Sequence, residues 1–197
     1  MDNIEVIDNF LEENIFSDIY NKIHDDSFPW FKSKNKYTVE KEDLKNKDDF
    51  KNMKEYMQFV HIFFTFDVLE NIYVRSNHFY IIEGICSKLA KKYSDKEVLV
   101  ERAKVNLQPQ NSEFKEYNHN SPHIDLKNEK HKVILLYVDD SDGDTFFFNN
   151  ENKIIKRVSP VKNRAVIFDG DILHAGSHPK NNDYRIVINM DFKLCSI

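Results

Sequence analysis

From about residue 96 onward the chain reads as short apolar runs punctuated by turns, and this spacing constrains the fold more than any other feature. The runs at 98–107, 133–138, 145–148, 153–158, 165–168 and 184–192 are rich in Val, Ile, Phe and Tyr, residues that suit a pleated, half-buried surface. Asn149-Asn150-Glu151-Asn152 reads as the loop of a hairpin, because Asn tolerates the left-handed turn conformation. Short strands at this spacing behind leading helices predict a mainly β fold with N-terminal helices (α+β). Its core is expected to be a jelly roll supported by helices on one side. Such a barrel keeps a ligand pocket between its sheets.

The N-terminal half supplies those helices. Residues 4–7 suit a short strand, and Asp8 and Asn9 offer capping oxygens for a helix over 11–23. Leu11, Ile15, Ile19 and Ile23 recur every fourth residue there, a stripe for packing on something flat. His24 closes the helix as a favourable C-terminal cation. Residues 25–50 are polar and lysine-rich and read as a long loop, with a place across the pocket open to it. Residues 58–65 suit a strand in which His61 shares a face with Phe59 and Phe63, as a structural histidine. Ser76 can cap a second helix to about Lys92, with Ile81, Ile82, Ile85, Cys86 and Leu89 as its buried stripe. No repeat or low-complexity linker divides the 197 residues, so one domain is expected, with 1–95 as helical support and 96–197 as the jelly-roll core.

Composition excludes several functions. A net charge of −5 argues against a general nucleic-acid binder. The lysines between residues 32 and 47 are interleaved with Glu40, Glu42 and Asp43, as in a solvated loop. Cys86 and Cys195 lack metal-type spacing and are too few for a disulfide framework. The acidic start Met1-Asp2-Asn3-Ile4-Glu5 is unlike a secretory signal, and no stretch nears the roughly 18 apolar residues of a membrane span. A soluble cytoplasmic protein is the expectation.

The chemistry-bearing residues lie within the strand-rich half. In Ser121-Pro122-His123-Ile124-Asp125, an extended His-x-Asp puts an imidazole and a carboxylate on one face. A second imidazole, His174, arrives between the runs 165–168 and 184–192. Two histidines and one carboxylate hold one side of a metal and leave the opposite positions open, as in non-haem Fe(II) oxygenases. On the last run Arg185, Val187 and Asn189 share a face opposite Ile186, Ile188, Met190 and Phe192. A lone charge in so apolar a strand calls for a partner.

Further pieces follow in order: Ala103-Lys104-Val105-Asn106, Leu135-Leu136-Tyr137-Val138, Asp142-Gly143-Asp144-Thr145-Phe146, Val158-Ser159-Pro160, Asn163-Arg164-Ala165-Val166-Ile167-Phe168, His174-Ala175-Gly176 and Arg185-Ile186-Val187-Ile188-Asn189. Taken together from Arg102 to Phe192, these motifs resemble the Fe(II)/2-oxoglutarate-dependent dioxygenases, in particular the prolyl-4-hydroxylase-like branch and its phage and bacterial relatives. The resemblance implies that the jelly roll is a double-stranded β-helix, cupin-like and flanked by supporting helices, with Fe(II) held by His123, Asp125 and His174 and with 2-oxoglutarate and O2 as cosubstrates. It assigns Arg185 to the distal carboxylate of 2-oxoglutarate, with Tyr137 and Thr145 as further donors and Asn106, Gln108 and Asn189 as cosubstrate-site residues. Arg185 suits the task because a planar guanidinium grips a carboxylate through two parallel bonds.

There are departures from the family pattern. Gln108 stands where many relatives carry a tyrosine, Gly143 alone represents a glycine pair, and Asn163 replaces a turn glycine. They weaken a close assignment to peptidyl proline. The implied reaction hydroxylates a C–H bond of an unidentified substrate, peptidyl proline among the candidates, and releases succinate and CO2. Protein, peptide and small-molecule substrates all remain open. A cupin-type metal protein or isomerase without O2 chemistry is the alternative, and a non-enzymatic jelly-roll module the weaker one. The polar segment 108–120, with Tyr117 and His119, is the lid candidate, and His119, His131 and His178 are expected to be exposed loop residues.

Overall fold

A computed structural model of the chain describes residues 4–33, 53–54, 56–67, 72–126 and 130–197. The expected loop at 25–50 therefore lies outside the described residues beyond position 33. In chain order the elements are β1 (Glu5–Ile7), α1 (Glu13–Ile23), β2 (Phe31–Ser33), β3 (Gln58–Asp67), β4 (Ile72–Arg75), α2 (Glu83–Lys92), β5 (Lys96–Pro109), β6 (Lys132–Tyr137), β7 (Thr145–Phe148), β8 (Ile154–Val158), β9 (Ala165–Asp169), β10 (His174–Gly176) and β11 (Tyr184–Ser196). Among the described residues, an eight-stranded sheet runs β1-β9-β6-β11-β5-β3-β2, with β4 also on β3. A smaller sheet runs β10-β7-β8. The named strands pair antiparallel. This is the expected jelly roll behind N-terminal helices. No helix is long and apolar enough to cross a membrane among the described residues.

The period-2 alternation of the strands sorts residues into layers. On β11, Ile186, Ile188, Met190 and Phe192 join Ala103 and Val105 of β5 and Ile134 and Leu136 of β6. Together they face Phe16, Ile19 and Ile23 of α1 and Ile82, Ile85 and Leu89 around α2 in one buried cluster. The opposite faces contribute Val133, Leu135, Tyr137, Val166, Phe168 and Val187, which meet Phe147 of β7 between the two sheets. Both faces of β6 are therefore covered, which explains its unbroken apolar run. Cys86 packs on the helix-side core, where burial pushes its thiol up to about 11 and leaves it an inert core residue.

Both helix starts differ from the sequence expectation. Asp8 is drawn away by Arg164, and Asn9 takes a positive φ of 51°. The backbone then makes a detour: Phe10 N–H donates to Asn163 O, and Leu11 N–H to Asn163 Oδ1. Helix α1 consequently begins two residues late, behind Glu12, with no side-chain cap. Ser76 Oγ accepts from the His78 N–H and meets His61 Nε2, so its hydroxyl shapes a turn instead of capping. A 3₁₀ turn, Phe79–Ile82, intervenes before α2. His61 also bonds Pro29 O and stays structural. His24 does close α1, its Nδ1 on Tyr20 O and its Nε2 beside Asp139, whose hydrogen bond raises the histidine above its usual pKa.

Three loop histidines are corrected by the structure. His119, His131 and His178 are 2%, 5% and 1% exposed. His119 tiles Phe146 and Phe148 on the outer face of the smaller sheet. His131 lies against Gly170, where a Cβ would collide with the ring, and beside Asp191. His178 sits between Tyr56 and Phe114. Sequence placed them in loops correctly; aromatic neighbours from elsewhere in the chain bury them.

Asn163 tests how closely the two halves are fastened. It holds φ 60°, as the glycine it replaces in the family pattern would, and its amide pairs with both Leu11 N–H and Leu11 O. Asn163→Ala should cost about 2–4 kcal/mol through backbone strain and two lost buried bonds. Asn163→Gly should cost clearly less, because it restores the φ. Equal urea midpoints for the two variants would show that the conformation contributes nothing.

Candidate metal and cosubstrate site

The strand ladder builds the site floor. Because β11 pairs with β5 in register Arg185↔Gln108, Val187↔Asn106, Asn189↔Lys104 and Asp191↔Arg102, two alternating rows stand side by side on the face turned away from the helices. Beyond β5, Val60↔Asn106 and Ile62↔Lys104 continue the rows onto β3. Beyond β11, Val187↔Tyr137 and Asn189↔Leu135 continue them onto β6. The smaller sheet closes over this floor through His174↔Phe147 and Gly176↔Thr145. The cavity between is lined by His123, His174, Arg185, Thr145, Gln108, Asn106, Asn189 and Lys104 among others.

At one end, ligand atoms of His123, Asp125 and His174 lie within 4.8 Å of one another. The His-x-Asp segment is only partly a strand. It joins the smaller sheet through a single antiparallel bridge, His123↔His174, and Asp125 already lies in a bend. Two backbone bonds, His123 N–H to His174 O at 2.9 Å and His174 N–H to His123 O at 3.1 Å, fix the two histidines side by side. Each Nδ1 lies 3.1 Å from a backbone carbonyl, Ser121 O for His123 and Ile172 O for His174. A proton on Nδ1 leaves the Nε2 lone pair as the ligand. Burial and the adjacent His174 ring hold His123 down to about 4, so it is neutral at pH 7. The side chain of Asp125 is 0% exposed. Burial pushes its carboxyl up, but Arg102, His174 and Lys104 outweigh that and hold it well below the usual range. Two imidazoles presenting Nε2 and an ionised carboxylate fit a divalent metal.

At the other end Arg185 is 3% exposed. Its Nη2 donates to Thr145 Oγ1 at 2.7 Å and its Nη1 to Gln108 Oε1 at 2.5 Å, while Tyr137 Oη donates to the same Thr145 Oγ1 at 2.7 Å. Two glycines make room for it: a Cβ on Gly176 would stand 3.2 Å from Arg185 Nη1, and one on Gly143 3.0 Å from Arg185 Cδ. Burial lowers the guanidinium from its ordinary pKa, against the raising effect of Tyr137. Among the described residues no carboxylate lies within ion-pairing distance of Arg185, and its Nε is buried without a partner. A buried cation in this condition fits an anionic ligand.

The structure thus brings together all nine site residues named from sequence, but redistributes them. Asn189 serves the metal end, its Nδ2 lying 3.2 and 3.4 Å from the two oxygens of Asp125. Gln108, in place of a tyrosine, holds Arg185. Within the lid candidate, Tyr117 lies under Arg157 and His119 on Phe146 and Phe148 at the back of the smaller sheet, and only the two ends of the segment, Gln108 and Asn120, line the cavity. Sequence reasoning missed Arg102, Lys104 and Asp191 as site residues. The signal was present: the alternation through Arg185, Val187 and Asn189 continues to Asp191, and Gln108, Asn106, Lys104 and Arg102 alternate on β5.

With this geometry established, comparison places the chain. Residues 110–192, which carry both histidines, Asp125 and Arg185, match the model of the 2OG-Fe(II) oxygenase superfamily. None of the curated proteins matches by sequence. Solved structures share the fold at low identity. A prolyl hydroxylase from Trichoplax adhaerens, in complex with a hypoxia inducible factor peptide fragment, is 12% identical over 98% of this chain and 84% of its own, with a TM-score of 0.60. The viral collagen prolyl hydroxylase of Paramecium Bursaria Chlorella virus-1 is 14% identical over 96% and 94%, with a TM-score of 0.55. A non-heme alpha ketoglutarate dependent epimerase of nogalamycin biosynthesis is 9% identical over 97% and 78%, with a TM-score of 0.59. The match over residues 110–192 makes that part of the chain similar to the 2OG-Fe(II) oxygenase superfamily, and the whole chain shares the fold of prolyl hydroxylases.

His178 borders this cavity through Tyr56 and offers a pH test. Burial lowers its pKa to about 4, opposed by Pro109 O on Nδ1 and aided by Arg185. The unfolded chain takes up the proton near the ordinary value of about 6.5. The stability His178 contributes is therefore complete above that value and lost as pH falls towards 4, by up to about 3 kcal/mol. Urea unfolding of metal-free protein at pH 7 and 4.5 should show a smaller acid loss in His178→Leu than in wild type. Identical losses would exclude a buried neutral imidazole.

Proposed function

We propose that His123, Asp125 and His174 hold the Fe(II) and that Arg185 grips the distal carboxylate of 2-oxoglutarate. The observation that carries this reading is the buried guanidinium, with no carboxylate partner among the described residues, at the opposite end of one cavity from the two imidazoles and Asp125. Bound there, the metal, 2-oxoglutarate and O2 supply the oxidising chemistry, converting the cosubstrate to succinate and CO2 as a substrate C–H bond is hydroxylated. The chain's own residues bind and orient. His123 and His174 present Nε2 because their Nδ1 atoms are engaged by carbonyls. Thr145, hydrogen-bonded by both Arg185 and Tyr137, fixes the angle of the guanidinium. Leu135 and Val187 line the cavity and would exclude water from a cosubstrate held there.

The substrate class we favour is a peptidyl side chain, proline included. An open groove of about 630 Å³ adjoins the cavity at Tyr56 and is walled by Lys54 and residues 110–114. Its size suits the residues flanking a reacting side chain. The fold likeness to a hydroxylase bound to a peptide fragment supports the same choice. On this reading residues 1–197 act as one domain, with the first 95 as scaffold. Two free cysteines accord with the reducing cytoplasm.

Anaerobic addition of Fe(II) and 2-oxoglutarate should give a visible charge-transfer band in wild type. Arg185→Ala should weaken 2-oxoglutarate binding a few hundred-fold or more, since removing one partner of a buried charge pair typically costs about 3–5 kcal/mol. Fe(II) binding should persist. Arg185→Lys should recover only part, lacking the bidentate fork. Wild-type 2-oxoglutarate affinity in the Ala variant would sink the cosubstrate assignment.

A further inference from the structure

The inference concerns Arg102, and it rests on the proposed metal ligands. Arg102 lies on β5 between two carboxylates. Its Nη2 donates to Asp125 Oδ1, and its Nε donates to Asp191 Oδ2 at 2.7 Å. Asp191 is 0% exposed, and its register partner on β5 is Arg102 itself, so the guanidinium is anchored by the residue directly across the ladder. Burial and the charge of Asp125 push Asp191 up to about 6. A carboxylate at such a position is costly, and a pair of strands that only needed filling would carry apolar side chains there.

The arrangement treats the two oxygens of Asp125 differently. Oδ1 takes the charge-assisted bond from Arg102. Oδ2 lies 3.2 Å from His174 Nε2, whereas Oδ1 stands 3.9 Å from both His123 Nε2 and Lys104 Nζ. Asn189 Nδ2 reaches both oxygens without distinguishing them. We propose that Arg102 is a positioning residue that reserves Oδ1, so that Asp125 ligates through Oδ2 alone. The count of coordination positions makes this consequential. Three protein donors and two cosubstrate oxygens leave one place in an octahedral site for O2, and a carboxylate chelating through both oxygens would fill it. Reserving one oxygen keeps that place open.

The test uses nitric oxide as a non-reacting probe of the open position, read by electron paramagnetic resonance on full-length protein loaded anaerobically with Fe(II) and 2-oxoglutarate. Wild type should bind it. Arg102→Met, which keeps an unbranched stem but no donor, should keep the charge-transfer band while nitric oxide affinity falls tenfold or more. Arg102→Lys should recover part of the affinity, because one ammonium can still donate to Oδ1. Asp191→Asn, which removes the anchor's charge and leaves Arg102 in place, should give a smaller loss with the fold intact. Wild-type nitric oxide affinity in loaded Arg102→Met overturns the inference. If Arg102→Met cannot be loaded, wild-type affinity in Asp191→Asn overturns it instead. Absence of the charge-transfer band in wild type would be a different failure, that of the metal and cosubstrate assignment itself.

Discussion

The structure depends on β11 being satisfied on both faces while lying between β5 and β6. One face is apolar and seals the helix-side core through Ile186, Ile188, Met190 and Phe192. The other carries Arg185, Asn189 and Asp191 into the interior, where each polar group needs a partner. A one-residue slip in register would exchange the two faces and bury the polar row against α1 and α2. The apolar row thus fixes the register, and the register fixes the site. The helices take part in function only indirectly, by making the slip too costly.

This coupling explains why so much was legible in the sequence. The jelly roll could be read from the spacing of apolar runs because strand faces obey a period of two, and Arg185 falls on that period. What was not legible depended on distant neighbours. His119 and His178 look like loop residues, yet Phe146, Phe148, Tyr56 and Phe114 bury them. The caps of α1 failed because Asn163, 152 residues from Leu11, claimed the backbone ahead of the helix. Local propensity could not anticipate a partner so remote. Arg102 and Asp191 were a different case, since alternation pointed to both.

Fold alone does not choose the reaction, since hydroxylases and an epimerase share this architecture at 9–14% identity. The choice is made by the side chains standing on a common floor. Gln108 illustrates this. It occupies a place given to tyrosine in many relatives, and its amide oxygen accepts from Arg185. A phenol would make a different partner for the guanidinium and fill more of the cavity, so this exchange alters the shape of the cosubstrate end while leaving Arg185 in position.

The two ends of the cavity are also finished to different degrees. At Asp125 the donors are in excess: Arg102, Lys104 and Asn189 all approach one carboxylate, beside two imidazoles held ready by backbone carbonyls. At Arg185 the acceptors are too few, with two neutral oxygens facing a buried cation and its Nε unmatched. The first end is pre-organised, its geometry set before any ligand arrives. The second is unsatisfied, and the free energy of burying the guanidinium is returned when an anion enters. A single strand, β11, supplies the unsatisfied arginine and, four and six residues later, the asparagine and aspartate that brace the metal end. The spacing between Arg185 and the residues that brace Asp125 is therefore set by strand geometry, about 3.3 Å per residue.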